Sequence, residues 1–377
     1  MNTSRFNENI DADIKLKTVN FLEVIVTCYI APYISIFGLL SNIMIILILP
    51  SKSIQINSIS RMFYLAIAIG DIGNLIFWHI REFFTKGLSI LSSGEIYLNI
   101  YSDPICKLLL SLDYLFFPLS QYGLLAFSIE RVLALYFPLK HKLFMTPKKA
   151  VLLRVGCVGP IWIILTPISI LLGSKLQGDI PYCGANPTHP LYSIYSVCFL
   201  LFIVALHPLL TAACDAAIIL KIWKRKSELQ KLASSYPIMK ANEMRTILLL
   251  LILSFINLIV FTPNVLTWAG VFVTRKFSET EKERQLWQSL AEVTSSLTAI
   301  AHSVNFVVYI IMIPSFRRAI FCRRRASVER PRVLAVYRRI ARNEISMEPV
   351  GAVRRTTLLQ GRVSTVSWRR GFSSEKF

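Results

Sequence analysis

Apolar residues in this chain gather into seven long runs separated by polar stretches, at Phe21–Leu49, Ser58–Phe84, Asp103–Tyr136, Ala150–Leu172, Leu191–Trp223, Thr246–Val273 and Leu286–Ile313. Each run meets or exceeds the roughly 20 residues that a helix needs to cross a hydrocarbon core. The pattern predicts an all-α membrane protein, a seven-transmembrane helix bundle. Prolines punctuate four of these helices, Pro118, Pro167, Pro208 and Pro263. Each removes one backbone hydrogen bond and permits a hinge. The predicted organisation is an extracellular N-terminus over 1–20, the bundle over 21–313, a short amphipathic helix over 314–325 and a basic, mostly disordered cytoplasmic tail over 326–377.

Composition supports the same class. Of 377 residues, 54% are hydrophobic and 17% charged, too few charges for the surface of an ordinary soluble domain. The opening stretch, with Asn2, Arg5, Glu8, Asp11 and Asp13, is too polar for the apolar centre of a cleaved signal peptide. The first span is therefore expected to act as its own targeting signal. Net charge is +20, and the segment from Pro314 to Phe377 carries fifteen Arg and one Lys against four Glu. More basic residues lie between runs three and four (Lys140, Lys142, Lys148, Lys149) and between five and six (Lys221, Lys224, Arg225, Lys226). By the positive-inside rule these segments are cytoplasmic and the N-terminus is outside. The basic tail lacks the aromatic interleaving of nucleic-acid recognition, so membrane lipids are the expected partner rather than nucleic acid.

Cysteine use is sparse. Cys106 opens the third run and Cys183 precedes the fifth, both on the outer side, where an oxidising compartment permits a bridge between them. Cys322, beside Arg323–Arg325, is a candidate for palmitoylation, and Asn2-Thr3-Ser4 is an N-glycosylation acceptor sequence. No metal-ligand cluster, phosphate loop or nucleophile–base set stands out, so neither a metal nor an enzymatic role is expected. Without an internal repeat, and with an odd number of spans, a duplicated transporter is disfavoured, although a channel or transporter remains the competing class.

Few polar residues lie inside the runs, and in lipid such residues turn inward. Among them are Asn42, Asp71, Asn74, Asp113, Ser120, Asp215, Asn257, Asn264, His302 and Asn305. An ionised Asp71 near mid-membrane needs a cation or must become neutral. With no Lys or Arg expected at that depth, a sodium ion held by Asp71, Ser120 and Asn305 would meet the demand. Glu130-Arg131 ends the third run, either as a paired switch or as neighbours resting in lipid head groups.

Taken together, these residues resemble the rhodopsin-like family of G-protein-coupled receptors, over about Asn20 to Arg325. Asn42, Asp71, Trp162, Pro208 and Pro263 match its landmark residues, and Cys106 and Cys183 match its outer disulfide. Glu130-Arg131-Val132 resembles its Asp/Glu-Arg-Tyr signature. Arg131 lies 25 positions after Cys106, and Glu243 lies 20 before Pro263. The resemblance thus implies two carboxylates for Arg131, Glu130 and Glu243, and a G-protein contact at Pro138-Leu139. In Asn305-Phe306-Val307-Val308-Tyr309 a Phe replaces the usual Pro, which predicts a straighter seventh helix. Ala216 and Phe261 also depart from the usual residues. Ser303-Val304-Asn305-Phe306 with the following helix, carrying Phe316 and Ile320 on its apolar face, resembles invertebrate neuropeptide receptors, including FMRFamide-type ones.

Asp113 lies seven positions after Cys106, about 10 Å down the helix and at pocket depth. Its match in the family pairs with amines and with some peptides. Because Leu200, Leu201, Val204, Asn264, Val265, Ser295 and Ala299 supply no aromatic cage, the expected ligand is a peptide, with a biogenic amine as the alternative. The expected ligand set is Glu82, Asp113, Tyr114, Phe117, Phe261 and Asn264, with Glu82 either holding a basic side chain or pairing with Arg81. The expected activation set is Asn42, Asp71, Ser120, Asn305 and Tyr309, with sodium as an allosteric ion and no other cofactor. The implied partner inside the cell is a heterotrimeric G protein.

Overall fold

With no water to satisfy peptide groups in a bilayer, apolar runs of this length close their hydrogen bonds internally as helices. The computed structural model describes residues 3–92 except 52 and 55, 103–172, 175–177, 180–182, 190–191, 194, 197–231, 241–277 and 280–321. Seven helices in it are long and apolar enough to cross a membrane. These are span one (Ile14–Ile48), two (Ser58–Ile80), three (Lys107–Tyr136), four (Pro147–Pro167), five (Phe199–Lys224), six (Glu243–Arg275) and seven (Glu281–Met312). Met1–Arg323 form one unit, and the second, Arg324–Phe377, lies outside the described residues.

The spans extend past the apolar runs where polar turns continue a helix beyond the lipid. Span seven begins at Glu281, behind Thr280, with Glu281 and Glu283 in the first turn. Negative charge there complements the helix dipole, a signal a hydropathy window does not register. Short helices follow span three (Pro138–Phe144) and span seven (Pro314–Phe321). A two-stranded hairpin, β1 (Lys175–Gln177) with β2 (Ile180–Tyr182), lies between spans four and five.

Inside a bilayer, lipid tails are as apolar as leucine, so helices associate through close packing and interhelical hydrogen bonds. Small residues set the approach of spans two and three: a Cβ on Gly70 would lie 2.6 Å from the backbone nitrogen of Ser120. The tight approach brings Asp71 beside Ser120. Within the bundle, Phe63 stacks on Phe127 with centroids 5.0 Å apart, and Tyr64 meets Tyr309 at 5.0 Å. Phe316 of the final short helix is fully buried and closes this core against Tyr309. Leu40, Leu47, Leu152, Ile163, Phe255 and Leu266 are exposed on the outside, as a lipid-facing surface requires.

Three spans depart from α geometry. Ile25–Ile30 in span one, Leu75–Ile80 in span two and Phe199–Leu206 in span five are π-helical. Pro208, with no N–H to give, follows the segment in span five. Such wide turns rotate the side chains that follow and cluster at functional sites. Span seven divides into Glu281–Leu297, Ala299–Ser303 and Asn305–Met312. Thr298 closes a tight turn by donating its N–H to the Ser295 carbonyl, and across Phe306 the Val308 N–H keeps its α-helical bond to the Val304 carbonyl at 3.1 Å.

Candidate functional site

Between spans two, three, five, six and seven lies an open pocket, about 550 Å³ of empty space with open solvent included. Its walls are Asn74, Trp78, Asp113, Tyr114, Phe117, Phe199, Phe261, Asn264, Trp268, Ser295 and Thr298. Asp113 is buried, and its Oδ1 has no hydrogen-bond partner. A carboxylate oxygen left this way is costly unless something else supplies a donor or a charge. Asn264 is oriented by the wall, since its Oδ1 accepts from Ser295 Oγ at 2.9 Å. Trp268 Nε1 donates in turn to Ser295 Oγ at 2.9 Å.

Six aromatic rings line this cavity, so the expectation that no aromatic cage surrounds Asp113 is corrected. Trp78 and Phe199 come from the π-helical segments, and Trp268 lies five positions beyond Pro263. Reading span five at regular α spacing selects Leu200 and Leu201 and passes over Phe199. The floor is built from Phe117 and Phe261, with ring centroids 5.9 Å apart.

Glu82 is not among the lining residues. Lys86 stands 2.6 Å from one of its oxygens and Arg81 3.7 Å from the other. Lys86 also reaches Glu292 of span seven at 2.9 Å, and Arg81 lies over the Trp78 ring at 5.3 Å. Glu82 therefore belongs to an ion cluster at the rim, while Asp113, Tyr114, Phe117, Phe261 and Asn264 come together in the cavity.

Below the floor, Asp71 joins three spans. Its Oδ1 accepts from Ser120 Oγ at 2.5 Å and from His302 Nδ1 at 2.8 Å, and its Oδ2 accepts from Asn305 Nδ2 at 2.5 Å. Asn42 donates through Nδ2 to the His302 carbonyl at 2.8 Å. The expected grouping of Asn42, Asp71, Ser120 and Asn305 is thus close together, and His302 completes it. Tyr309 lies a helical turn further in, buried, with a hydroxyl that finds no partner. A sodium ion requires oxygen lone pairs, yet Asn305 turns its amide nitrogen to the carboxylate and the His302 ring nitrogen fills a further approach, leaving Ser120 as the one neutral oxygen against it. The residues as arranged do not fit that ion.

The expectation that spans carry no basic residue at this depth is also corrected. Arg154 of span four is buried, with Nη2 donating to the Leu119 carbonyl at 2.7 Å and Nη1 to the Phe63 carbonyl at 3.3 Å. Gly123 leaves the room, since a Cβ there would run into the Arg154 guanidinium. A lone Arg near the end of an apolar run reads as a snorkelling side chain, which is why the sequence pointed elsewhere.

Near the C-terminal end of span three, Arg131 Nε lies 2.7 Å from Glu130 Oε2, and Arg131 Nη2 donates to Ser60 Oγ at 2.8 Å. Glu130 Oε1 meets His141 Nε2 at 2.8 Å, so the short helix after span three is tied to the same carboxylate. Both members of the pair are buried, which removes the head-group alternative. Glu243 is exposed and enters no ion pair among the described residues, so it does not reach Arg131. Pro138 and Leu139 stand exposed beside the pair, Leu139 at 78%. Ser60 and His141 were not singled out from the sequence, since neither residue type at its position signals a partner for this pair.

Asn2, Cys183 and Cys322 lie outside the described residues, as does the side chain of Cys106. A bundle of seven helices long and apolar enough to span a membrane, with a cavity toward one end and a buried Glu–Arg pair toward the other, has the build of a seven-helix receptor. Residues 41–309 match the family described as 7 transmembrane receptor (rhodopsin family), and the chain belongs to it. A relative from Caenorhabditis elegans, a probable G-protein coupled receptor, B0563.6, is 27% identical over 126 residues, 33% of this chain. The chain spans 28% of that relative's length.

Proposed function

We propose that this protein is a plasma-membrane receptor, with its N-terminus outside, that binds an extracellular neuropeptide and promotes nucleotide exchange on a cytoplasmic heterotrimeric G protein. The observation that carries the ligand assignment is Asp113: buried, with one oxygen unpartnered, in a cavity walled by aromatic rings. A guanidinium or ammonium entering there gains a charge-assisted hydrogen bond and ring faces on which to rest. A peptide presenting a basic side chain next to an aromatic one fits both features, in line with the resemblance to FMRFamide-type receptors. The rim cluster of Arg81, Glu82, Lys86 and Glu292 offers polar groups to the rest of such a chain.

A small amine is the second reading, favoured by the same aromatic walls. At the inner end, exposed Pro138 and Leu139 beside the Glu130–Arg131 pair support G-protein contact. The experiment is a screen of peptides and biogenic amines against the full-length receptor in cells, read by second messengers, with Asp113→Asn in parallel. A peptide response that is weakened in the variant supports the reading. A response to amines alone selects the second reading, and a peptide response indifferent to Asp113→Asn removes the site assignment.

A further inference from the structure

We propose that His302 takes the place of a bound cation at Asp71, so that this receptor is built without sodium control. The case rests on where each hydrogen points. Asp71 Oδ1 receives the Ser120 hydroxyl at 2.5 Å and the His302 ring N–H at 2.8 Å, and Oδ2 receives the Asn305 amide at 2.5 Å. A hard cation in a carboxylate site is held by oxygen lone pairs. Here Ser120 and Asn305 turn donors toward Asp71, and the imidazole fills the remaining approach. Against a carboxylate oxygen at 2.8 Å, Nδ1 is the ring nitrogen that carries the hydrogen.

His302 is fully buried and held from several sides. Asn42 fixes its carbonyl at 2.8 Å, and the ring sits 6.3 Å from Phe117, 6.1 Å from Phe261 and 6.1 Å from His79 by centroid. Swinging it out to admit an ion and its waters would displace the floor of the ligand cavity. The same contacts join that floor to Asp71 through one ring. His302 is therefore a positioning residue: it satisfies the buried carboxylate and locks spans two, three and seven together.

The test uses purified full-length receptor, unfolded thermally in sodium chloride and in equimolar potassium chloride. The wild type should show the same midpoint in both salts. His302→Ser, which opens the space and supplies an oxygen, should gain about 2–4 °C in sodium over potassium, and Asp71→Asn placed on top of it should remove the gain. Sodium-23 relaxation on the wild type gives a reading independent of any variant's folding: linewidths equal to those of Asp71→Asn support the proposal. A sodium-dependent midpoint or broadened linewidth in the wild type that Asp71→Asn abolishes would overturn it. So would a folded His302→Ser receptor that remains indifferent to sodium.

Discussion

The Glu130 carboxylate lies 2.7 Å from the guanidinium of Arg131, its neighbour in sequence. Adjacent residues on a helix point in different directions, so this contact forms only because Arg131 folds back over the Phe127 ring, 5.1 Å from its centroid. Glu130 is held from a second side by His141. The pair is thus held by span three, by Ser60 of span two and by the short helix after span three, with no ion pair to span six among the described residues.

From that closure follows a contrast between two carboxylates. Glu130→Gln keeps the shape and removes the charge, leaving Arg131 held by Ser60, so ligand-independent signalling should rise about fivefold or more, the equivalent of about 1 kcal/mol of coupling. Glu243→Gln should leave basal output unchanged. Second-messenger levels at matched surface expression would show it, and equal effects from the two variants would shift the lock back to span six.

Packing between spans two and three predicts a stability difference between glycines. Gly70→Ala puts a methyl group 2.6 Å from a backbone nitrogen, which cannot move as a side-chain tip could, and overpacking of this kind costs about 1–3 kcal/mol. At Gly156 nothing lies within 4 Å of where a methyl group would sit, so Gly156→Ala should be tolerated. Thermal unfolding of the two purified variants would separate them, with only Gly70→Ala falling.

Tyr309 and Tyr64 each bury a hydroxyl without a partner. Removing an unsatisfied polar group costs nothing in packing and relieves its desolvation. Tyr309→Phe should therefore unfold at the wild-type temperature or above it, while any use of the hydroxyl in the active state would appear as reduced maximal signalling. A marked drop in unfolding temperature would mean that the hydroxyl is bonded in the resting receptor.

Arg154 uses two nitrogens of a planar fork on two carbonyls of different spans. Lysine presents a single, more strongly hydrated charge and cannot reproduce that fork. Arg154→Lys should unfold below wild type by a few degrees, and Arg154→Met should unfold above Arg154→Lys because it buries no charge. The reverse order would mean that the positive charge itself matters at this position.

Much of this organisation was readable in the chain. Spans follow from apolar length, Asp71, Ser120 and Asn305 from being polar inside those runs, and Arg131 from family spacing, because all of these depend on position along a regular helix. What escaped depends on departures from regularity or on side-chain reach. Phe199 turns inward through a π-helical segment, which apolar periodicity does not encode. His302 reaches Asp71, and Arg154 reaches two carbonyls, through side-chain conformations that residue type alone leaves open. Glu130 gains His141 only after the chain doubles back in the short helix Pro138–Phe144.

Whether a cationic ligand at Asp113 drives G-protein activation, as proposed, is tested most directly by nucleotide exchange on a purified heterotrimeric G protein by the receptor in lipid nanodiscs. With a basic peptide from the screen, the wild type should accelerate exchange, and Asp113→Asn should need about 10–100-fold more ligand for the same rate. Equal potency in the two proteins, or exchange that no peptide accelerates, would contradict the account.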